Sequence, residues 1–518
     1  MPPINKLAAA AIIIAFACLN AASAFAQHDH PAREKLGKVN FPVTCSRSVQ
    51  GAFNHAVALL HSFAYTPAQQ GFADIARRDP QCAMAHWGVA ISYYHQLWDP
   101  QISPSSLPIG ACEIQKAQDL FGHADLREQA FINALATFYA TASRTSVRTA
   151  ALAYTNAMRD VATQNPDDTE SQIFYALSFL AIASPSDAAH TSQEVAALML
   201  EPLFRRYPDH PGLAHYLIHA YDHPDLARQG LPAARAYSKI APSAPHALHM
   251  PSHIFTLLGL WQDSIGSNLA ARAAARRQND IGEELHAMDY LMYADLQAGR
   301  FDDAAELLSD LHQLESLPVS DYKVAYASTV MPIRLATERR QWDDVLKISE
   351  DPSVAPQFRA IAEWAKSFAA ARVGKIPQAE LHLHNLQDLL ATVCNSGDGY
   401  WAAQLQIQLS EAEGWLEHAR GNDQQATSSL RAAAEQEDQL AKRPITPGPV
   451  IPAREQLADL LLLANQPAAA LREYESSLQK APGRRNALVG AAQAAQRSGD
   501  LAKAQKFQSA LAGPDVNH

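Results

Sequence analysis

The feature that most constrains the fold of this chain is a pattern of small, aliphatic, aromatic and proline residues. The pattern occurs near both ends of the chain with the same spacing. The two matching sets are Ala56, Leu59, Ala68, Phe72 and Pro80, and Ala458, Leu461, Ala470, Tyr474 and Pro482. Ala233, Tyr237 and Pro245 repeat part of the set in the centre. A 34-residue unit of two antiparallel helices needs small residues where its helices cross, and a proline commonly ends it. The stretches between these residues are rich in alanine and show no alternating strand pattern, so we expect a nearly all-α fold.

These units predict a right-handed superhelical solenoid of tetratricopeptide-type helical hairpins. We expect the solenoid to cover residues 51–441, after an N-terminal lead segment, 27–50. Residues 442–453 are rich in proline, which removes a backbone donor and clashes inside a helix, so they are predicted to form a linker. Residues 454–513 then supply two C-terminal repeats.

Residues 1–26 have the pattern of a cleavable signal peptide. Lys6 precedes a short apolar run, 7–16, and a small-x-small pattern ends at Ala26, which makes Gln27 the expected mature start. The apolar run is short for a membrane span, and an uncleaved signal anchor is the alternative. We therefore expect a periplasmic or secreted protein with no integral membrane segment after cleavage.

Four cysteines remain after signal removal, namely Cys45, Cys82, Cys112 and Cys394. In an oxidising compartment they permit three pairings. We favour Cys45 with Cys82, because that bridge would tie the lead segment to the repeat that Cys82 opens. Four free buried thiols are the alternative.

The charge pattern restricts the class of partner. The formal net charge is −11, and no long basic run occurs. This argues against nucleic acid and anionic membranes as main partners, since both attract basic surfaces. The charge does not identify a partner, and we expect a protein or peptide partner because a solenoid offers an extended concave surface.

The histidines concentrate in the central repeats, at spacings that place them on shared helix faces. His215 and His219 are four residues apart, as are His249 and His253, and residues four apart lie on one face. Their positions within the repeat assign these residues to the first helices of successive hairpins. We expect those helices, and the first helix of the following hairpin, to line the concave inner wall of the solenoid. The predicted metal ligands are His215, His219, His249, His253, His286 and Asp289. Imidazoles with one carboxylate suit zinc, copper or iron.

Other residues are candidates for the groove or for plain structural roles. The further groove candidates are His86, His95, Tyr216 and Asp222. His210, His223 and His246 each neighbour a proline and are predicted to be helix caps or turn residues. Any single histidine can also be a partly buried residue bonded to a carbonyl, with no ligand role.

Five stretches carry a resemblance to a known family. They are residues 53–63, 79–88, 215–222, 246–255 and 444–452. At these residues the chain resembles a family of exported bacterial tetratricopeptide-repeat proteins. The resemblance implies the fold and export, and it supplies no catalytic residues.

Two functions and one inert alternative follow from these patterns. The first is a periplasmic binding or scaffold protein whose histidine-lined groove holds a transition metal and a peptide or small ligand. The second is a metal-dependent enzyme, a hydrolase or an oxygenase, in which Asp222 orients a ligand or acts as a base. A structural assembly protein with an inert groove is the third.

Overall fold

The computed structural model describes residues 34–97, 101–184, 187, 189–440 and 442–512. From Leu36 onward the chain forms one compact unit. The predicted signal peptide and its cleavage position lie outside the described residues. Within the described ranges, no helix combines the length and the apolar composition that crossing a bilayer requires.

The described residues form α-helices that pair into consecutive hairpins joined by short turns. The helices are α1 (Gln50–His61), α2 (Tyr65–Arg78), α3 (Ala83–Ile91), α4 (Ser106–Asp119), α5 (Leu126–Ala142), α6 (Val147–Gln164), α7 (Thr169–Ala181), α8 (Thr191–Arg206), α9 (Pro211–Ala220), α10 (Ala227–Ile240), α11 (Pro245–His249), α12 (Pro251–Leu257), α13 (Trp261–Gln278), α14 (Ile281–Gln297), α15 (Phe301–His312), α16 (Tyr322–Glu338), α17 (Trp342–Val345), α18 (Pro356–Arg372), α19 (Ile376–Ser396), α20 (Gly399–Ala419), α21 (Asp423–Glu437), α22 (Ala453–Leu463), α23 (Pro467–Lys480), α24 (Arg485–Ser498) and α25 (Leu501–Ala512). This arrangement confirms the predicted all-α solenoid of tetratricopeptide-type hairpins.

The spacing of small and aromatic residues has a direct packing reason. A Cβ on Gly88 would lie 2.2 Å from a ring carbon of Phe72, and a Cβ on Gly490 would lie 2.2 Å from a ring carbon of Tyr474. Each glycine therefore lets the first helix of one hairpin approach the aromatic residue of the preceding hairpin. The same contact forms at both ends of the chain, because the two repeats have the same residue spacing.

Helices far apart in sequence also touch, which a simple stack of hairpins does not require. Helix α1 contacts α9, and α14 contacts α24. The lead segment adds to this core, since the Phe41 ring is fully buried and packs against Phe53, Trp87 and Phe131. The inner wall of the central repeats is therefore covered by other parts of the chain.

A disulfide ties the lead segment to the second hairpin. Cys45 and Cys82 are bonded, with their Cα atoms 4.8 Å apart. Cys112 and Cys394 are free and exposed. The predicted pairing is confirmed.

The proline-rich segment 442–452, which we call the strap, lies against the inner wall. It is not helical, and Ile445 and Thr446 are buried. The Tyr290 hydroxyl on α14 lies 2.9 Å from the carbonyl oxygens of both Pro444 and Thr446. The strap therefore packs on the solenoid as a covering segment, in addition to connecting α21 to α22.

Candidate metal centre

Helix α9 brings two predicted ligands together. Pro211 occupies the first turn of α9, where its missing N–H group would have no partner in the helix. His215 and His219 follow four residues apart, so their side chains share one face. Their Nε2 atoms lie 3.1 Å apart.

His246 completes this first cluster from another hairpin. It lies in the first turn of α11, and its Nε2 atom is 3.2 Å from the Nε2 atom of His215. The ligand atoms of His215, His219 and His246 all lie within 4.8 Å of one another. Sequence reasoning assigned His246 to a cap or turn because of Pro245. The tertiary structure turns its ring toward α9 instead.

The second cluster consists of His249, His253 and His286. Pro251 begins α12, but Met250 keeps helical backbone angles, so the chain continues in one direction from α11 into α12. The Nε2 atoms of His249 and His253 consequently lie 3.0 Å apart. His286 on α14 places its ring centroid 4.3 Å from that of His249.

Hydrogen bonds at the opposite ring nitrogens orient the second cluster. The Nδ1 atom of His249 lies 2.7 Å from Oδ1 of Asn268, whose amide nitrogen donates to the Ser264 carbonyl oxygen. The Nδ1 atom of His253 lies 2.8 Å from a carboxylate oxygen of Asp222. Both Nδ1 atoms therefore donate, and in neutral rings both Nε2 atoms carry lone pairs.

The two facing lone pairs of His249 and His253 repel each other unless a cation lies between them. Burial lowers the pKa of both rings below the ordinary value of histidine, which disfavours a proton in this position. A metal ion between the two Nε2 atoms would remove this repulsion. Carboxylate and amide oxygens on the outer nitrogens are the usual partners of metal-binding histidines.

The first cluster has the same outward partners. The Nδ1 atom of His215 donates to the His61 carbonyl oxygen over 2.6 Å. The Nδ1 atom of His246 lies 3.3 Å from a carboxylate oxygen of Glu283. Both acceptors leave the Nε2 atoms directed into the cluster.

The nitrogen separations fit a common metal ion. With metal–nitrogen bonds of about 2.0–2.1 Å and angles between about 90° and 109°, neighbouring ligand nitrogens are about 2.8–3.4 Å apart. The Nε2 pairs of the two clusters are 3.0, 3.1 and 3.2 Å apart. Imidazole donors of this kind suit zinc, copper, iron or nickel.

Two lysines balance the carboxylates behind the clusters. Lys442 of the strap lies 2.9 Å from Asp222, and Lys323 of α16 pairs with Glu283. Burial alone would raise the pKa of Asp222, but Lys442 and His253 hold it below its ordinary value. Lys323 and His246 likewise hold the pKa of Glu283 well below its ordinary value against the effect of burial. Both carboxylates are therefore ionised at neutral pH.

The two clusters form one continuous group, which we call the histidine chamber. Ring centroids are 6.3 Å apart for His219 and His253, and 6.2 Å apart for His246 and His249. His219 is partly exposed and the other five rings are buried. The predicted groove is therefore largely covered at these rings by α1, the turn after it and the strap, and His219 stays partly exposed.

Asp289 is not brought to the chamber. Its carboxylate pairs with Arg334 of α16, with 3.2 Å between Oδ1 and Nε, and both side chains are fully buried. It belongs to neither group of ligand atoms, although it shares α14 with His286. The guanidinium group of Arg334 bonds the carboxylate that the sequence analysis assigned to the metal.

The four groove candidates have different surroundings. His86 pairs with Glu113 over 2.7 Å. His95 stacks on Tyr65 and donates to the Ser92 carbonyl oxygen over 3.1 Å. The Tyr216 hydroxyl bonds Nδ1 of His61 over 2.9 Å. Among these four, Asp222 is the residue whose side chain bonds a cluster histidine.

A further buried group supports the chamber from behind. Glu170 lies between His61 and His210, at 2.9 and 3.0 Å from their Nε2 atoms. One carboxylate thus bonds both rings, and the His61 carbonyl oxygen in turn orients His215. His210 begins α9 as its N-terminal flanking residue, as predicted, while its ring belongs to this group.

Sequence reasoning missed the residues that orient the rings. Asn268, Glu283 and Lys442 come from three other elements, and Lys442 lies 220 residues from Asp222. The sequence offered one weak indication of these roles, which was the lysine at the start of the proline-rich segment. Their roles follow from packing between repeats.

Comparison with known proteins adds little. No family model matches the sequence, and no curated protein matches it. Among solved structures, a human IFIT1 dimer with m7Gppp-AAAA is 10% identical over 83% of this chain and 89% of that chain, with a TM-score of 0.36. Ypp1 is 8% identical over 81% of this chain and 65% of that chain, with a TM-score of 0.42. Similarity at this level carries no argument about what this chain does.

Proposed function

We propose that this protein is an exported bacterial solenoid that binds transition-metal ions in its histidine chamber, one ion at each three-histidine cluster. The observation that carries the proposal is the pair of Nε2 atoms of His249 and His253, which face each other at 3.0 Å while their Nδ1 atoms bond Asn268 and Asp222. Zinc, copper and iron are the candidate ions, because imidazole nitrogen suits all three.

Elemental analysis of the mature protein, purified without an affinity tag, tests this proposal. We expect two equivalents of zinc, copper or iron per chain, and about one equivalent in His219→Gln and in His253→Gln. His382→Gln is the matched control, since His382 bonds Glu363 outside the chamber and its variant should retain two equivalents. A folded, metal-free protein would overturn the proposal, as would full metal content in both cluster variants.

Export is the second part of the proposal and has its own test. It is supported by the signal pattern of residues 1–26. We expect the exported protein to begin at Gln27 when its N-terminus is sequenced. Protein that begins at Met1 and stays in the cytoplasm would contradict this part alone.

A metal-dependent hydrolase or oxygenase is the second candidate. It is favoured by a cavity of about 440 Å³ that reaches His219 and Asp222. Three protein ligands per cluster leave a coordination position for a substrate. For a hydrolase, the rate of ester hydrolysis should follow the metal content and be lost in His253→Gln. For an oxygenase, the rate of dioxygen consumption should do the same. Equal turnover by chelator-treated protein would exclude this candidate.

A peptide anchored directly by the histidines is less favoured than a small ligand. The strap and the turn after α1 cover the chamber, and the ring centroid of Phe63 lies 4.4 Å from that of His215. A peptide would have to displace these segments to touch the rings. A small molecule in the adjoining cavity would not.

A further inference from the structure

The cavity beside the histidine chamber combines positive charge with access to the metal centre. Its lining includes His219, Asp222 and Lys442, together with Arg148 and Arg443. Asp222 is the one carboxylate among the lining residues of the described structure, and Lys442 and His253 already bond it. The cavity therefore offers cationic groups in excess of its anionic groups.

Metal binding would add to this positive charge. The six ring ligands of the two clusters are neutral when they bind metal. Asp222 and Glu283 are the carboxylates bonded to these rings, and Lys442 and Lys323 already offset them. Two divalent ions would therefore bring a buried excess of positive charge, which is costly unless an anion accompanies it.

The cavity walls also indicate what kind of anion fits. Leu97, Val147 and Leu180 contribute apolar surface beside the cations. This favours an organic anion with a short hydrocarbon part over a fully polar inorganic oxyanion. Arginine, as supplied by Arg148, matches the planar geometry of a carboxylate.

A buried amide adds a requirement for a second polar group. Gln96 lines the cavity and is 3% exposed. Its side-chain Oε1 atom is buried without a hydrogen-bond partner in the described structure. A hydroxyl group can donate and accept, so it satisfies either end of that amide. The ligand should therefore carry a hydroxyl group in addition to its carboxylate.

From this geometry we propose that the cavity binds a small hydroxycarboxylate, which approaches the metal centre on the side of His219. The proposal rests on the metal binding proposed above. The Arg148 side chain binds the carboxylate, and Gln96 bonds the hydroxyl group. The carboxylate charge offsets the excess charge of the metal ions.

Calorimetric titration of the metal-loaded protein with lactate, propionate and inorganic phosphate tests this proposal. We expect lactate to bind more tightly than propionate, which lacks the hydroxyl group, and more tightly than phosphate. Cobalt-loaded protein should change its visible absorption on lactate addition, because the ligand reaches the metal. Preferred binding of phosphate, or equal binding of lactate and propionate, would overturn the proposal.

Two variants assign the contacts. Arg148→Gln should weaken lactate binding about tenfold or more, the loss of one charged hydrogen bond. Its control is Arg144→Gln. Arg144 is exposed, precedes the helix α6 that carries Arg148, and does not line the cavity. Gln96→Leu should remove the preference for lactate over propionate. Wild-type affinity in Arg148→Gln would overturn the assignment of the carboxylate site.

The metal content of every variant separates the two proposals. Arg148→Gln and Gln96→Leu should retain two equivalents of metal, because neither residue contacts a cluster ring. A protein without metal would show that the metal proposal has failed. A fully metal-loaded protein that binds no lactate would show that this inference has failed by itself.

Discussion

The histidine chamber and the ion pairs of the C-terminal half are both buried, yet their polar atoms are satisfied in different ways. Arg484 is fully buried and lies 2.6 Å from carboxylate oxygens of both Glu338 and Glu455, a group we call the charge cluster. Here the buried guanidinium group is held between two carboxyl groups of the same chain. In the chamber, the facing nitrogens of His249 and His253 are both acceptors in their neutral state.

The two regions therefore differ in what their buried polar groups face. In the ion pair of Asp289 with Arg334, the chain itself supplies an opposite charge for each buried group. The paired histidines instead leave two nitrogen lone pairs facing each other, since their outer nitrogens already donate. A buried polar group that the protein leaves unsatisfied toward a shared point indicates a binding site.

Acidification should give the largest difference between the two regions. Burial lowers the pKa of His61, His215, His219, His249, His253 and His286. The unfolded chain binds protons below about pH 6.5 that the folded chain does not, so stability is lost as the pH falls below that value. Each ring contributes at most about 1.4 kcal/mol per pH unit, and the sum should reach several kcal/mol by pH 5.5. Urea unfolding midpoints of metal-free protein at pH 7.5, 6.5 and 5.5 check this.

The C-terminal carboxyls should oppose that loss in part. Burial raises the pKa of Glu437 and of Glu455 to about 7, so the folded chain holds protons there that the unfolded chain has released above about pH 4.5. These two groups therefore gain stability as the pH falls from 7 to 4.5. They are fewer than the histidines, so a midpoint that stays constant or rises below pH 6.5 would contradict the assigned histidine states.

Arg484→Met should cause the largest loss among the substitutions. It leaves Glu338 and Glu455 buried without their shared cation, which should cost about 5 kcal/mol of unfolding free energy. The metal content should not change. Arg472→Met, at an exposed arginine of α23, should cost under about 0.5 kcal/mol. Equal, small effects of both substitutions would show that the charge cluster is not coupled as described.

Asp289→Asn should have a smaller effect of the same kind. It removes the charge opposite the buried Arg334 guanidinium group and should cost about 3 kcal/mol. Denaturation and elemental analysis should be run together. Loss of one metal equivalent with unchanged stability would make Asp289 a ligand after all and place it with the chamber.

Tyr290→Phe should have the smallest effect. It removes the one hydroxyl hydrogen that the carbonyl oxygens of Pro444 and Thr446 share, which should cost about 1–3 kcal/mol. We expect faster hydrogen exchange of strap amides and an unchanged metal content. Tyr154→Phe is the control, since its buried hydroxyl has no partner in the described structure and its removal should be nearly neutral. Unchanged exchange in Tyr290→Phe would mean that the strap is held by other contacts.

Much of the architecture was predictable because it depends on spacing along one chain. The recurrence of Phe72 and Tyr474 in equivalent repeats predicted equivalent packing, and Gly88 and Gly490 meet them in the same way. The four-residue spacing of His215 and His219 likewise predicted adjacent rings. Such contacts form within one helix or between neighbouring hairpins.

The strap illustrates what spacing did not reveal. Its prolines correctly indicated a non-helical segment, but nothing in residues 442–452 indicated that they would lie on the inner wall. Lys442 reaches Asp222, and Tyr290 reaches Pro444, across long stretches of sequence. These contacts depend on how far the solenoid curls back on itself.

By itself, the sequence determined the helical hairpins, their phase and the pairs of histidines that share a helix face, because the helical period sets these within a few residues. Only the tertiary structure decided that His246 joins His215, that Asp289 pairs with Arg334, and that the chamber is largely covered. The reason is that a ring's partner on another helix depends on interhelical packing, which is the sum of many contacts across the whole solenoid.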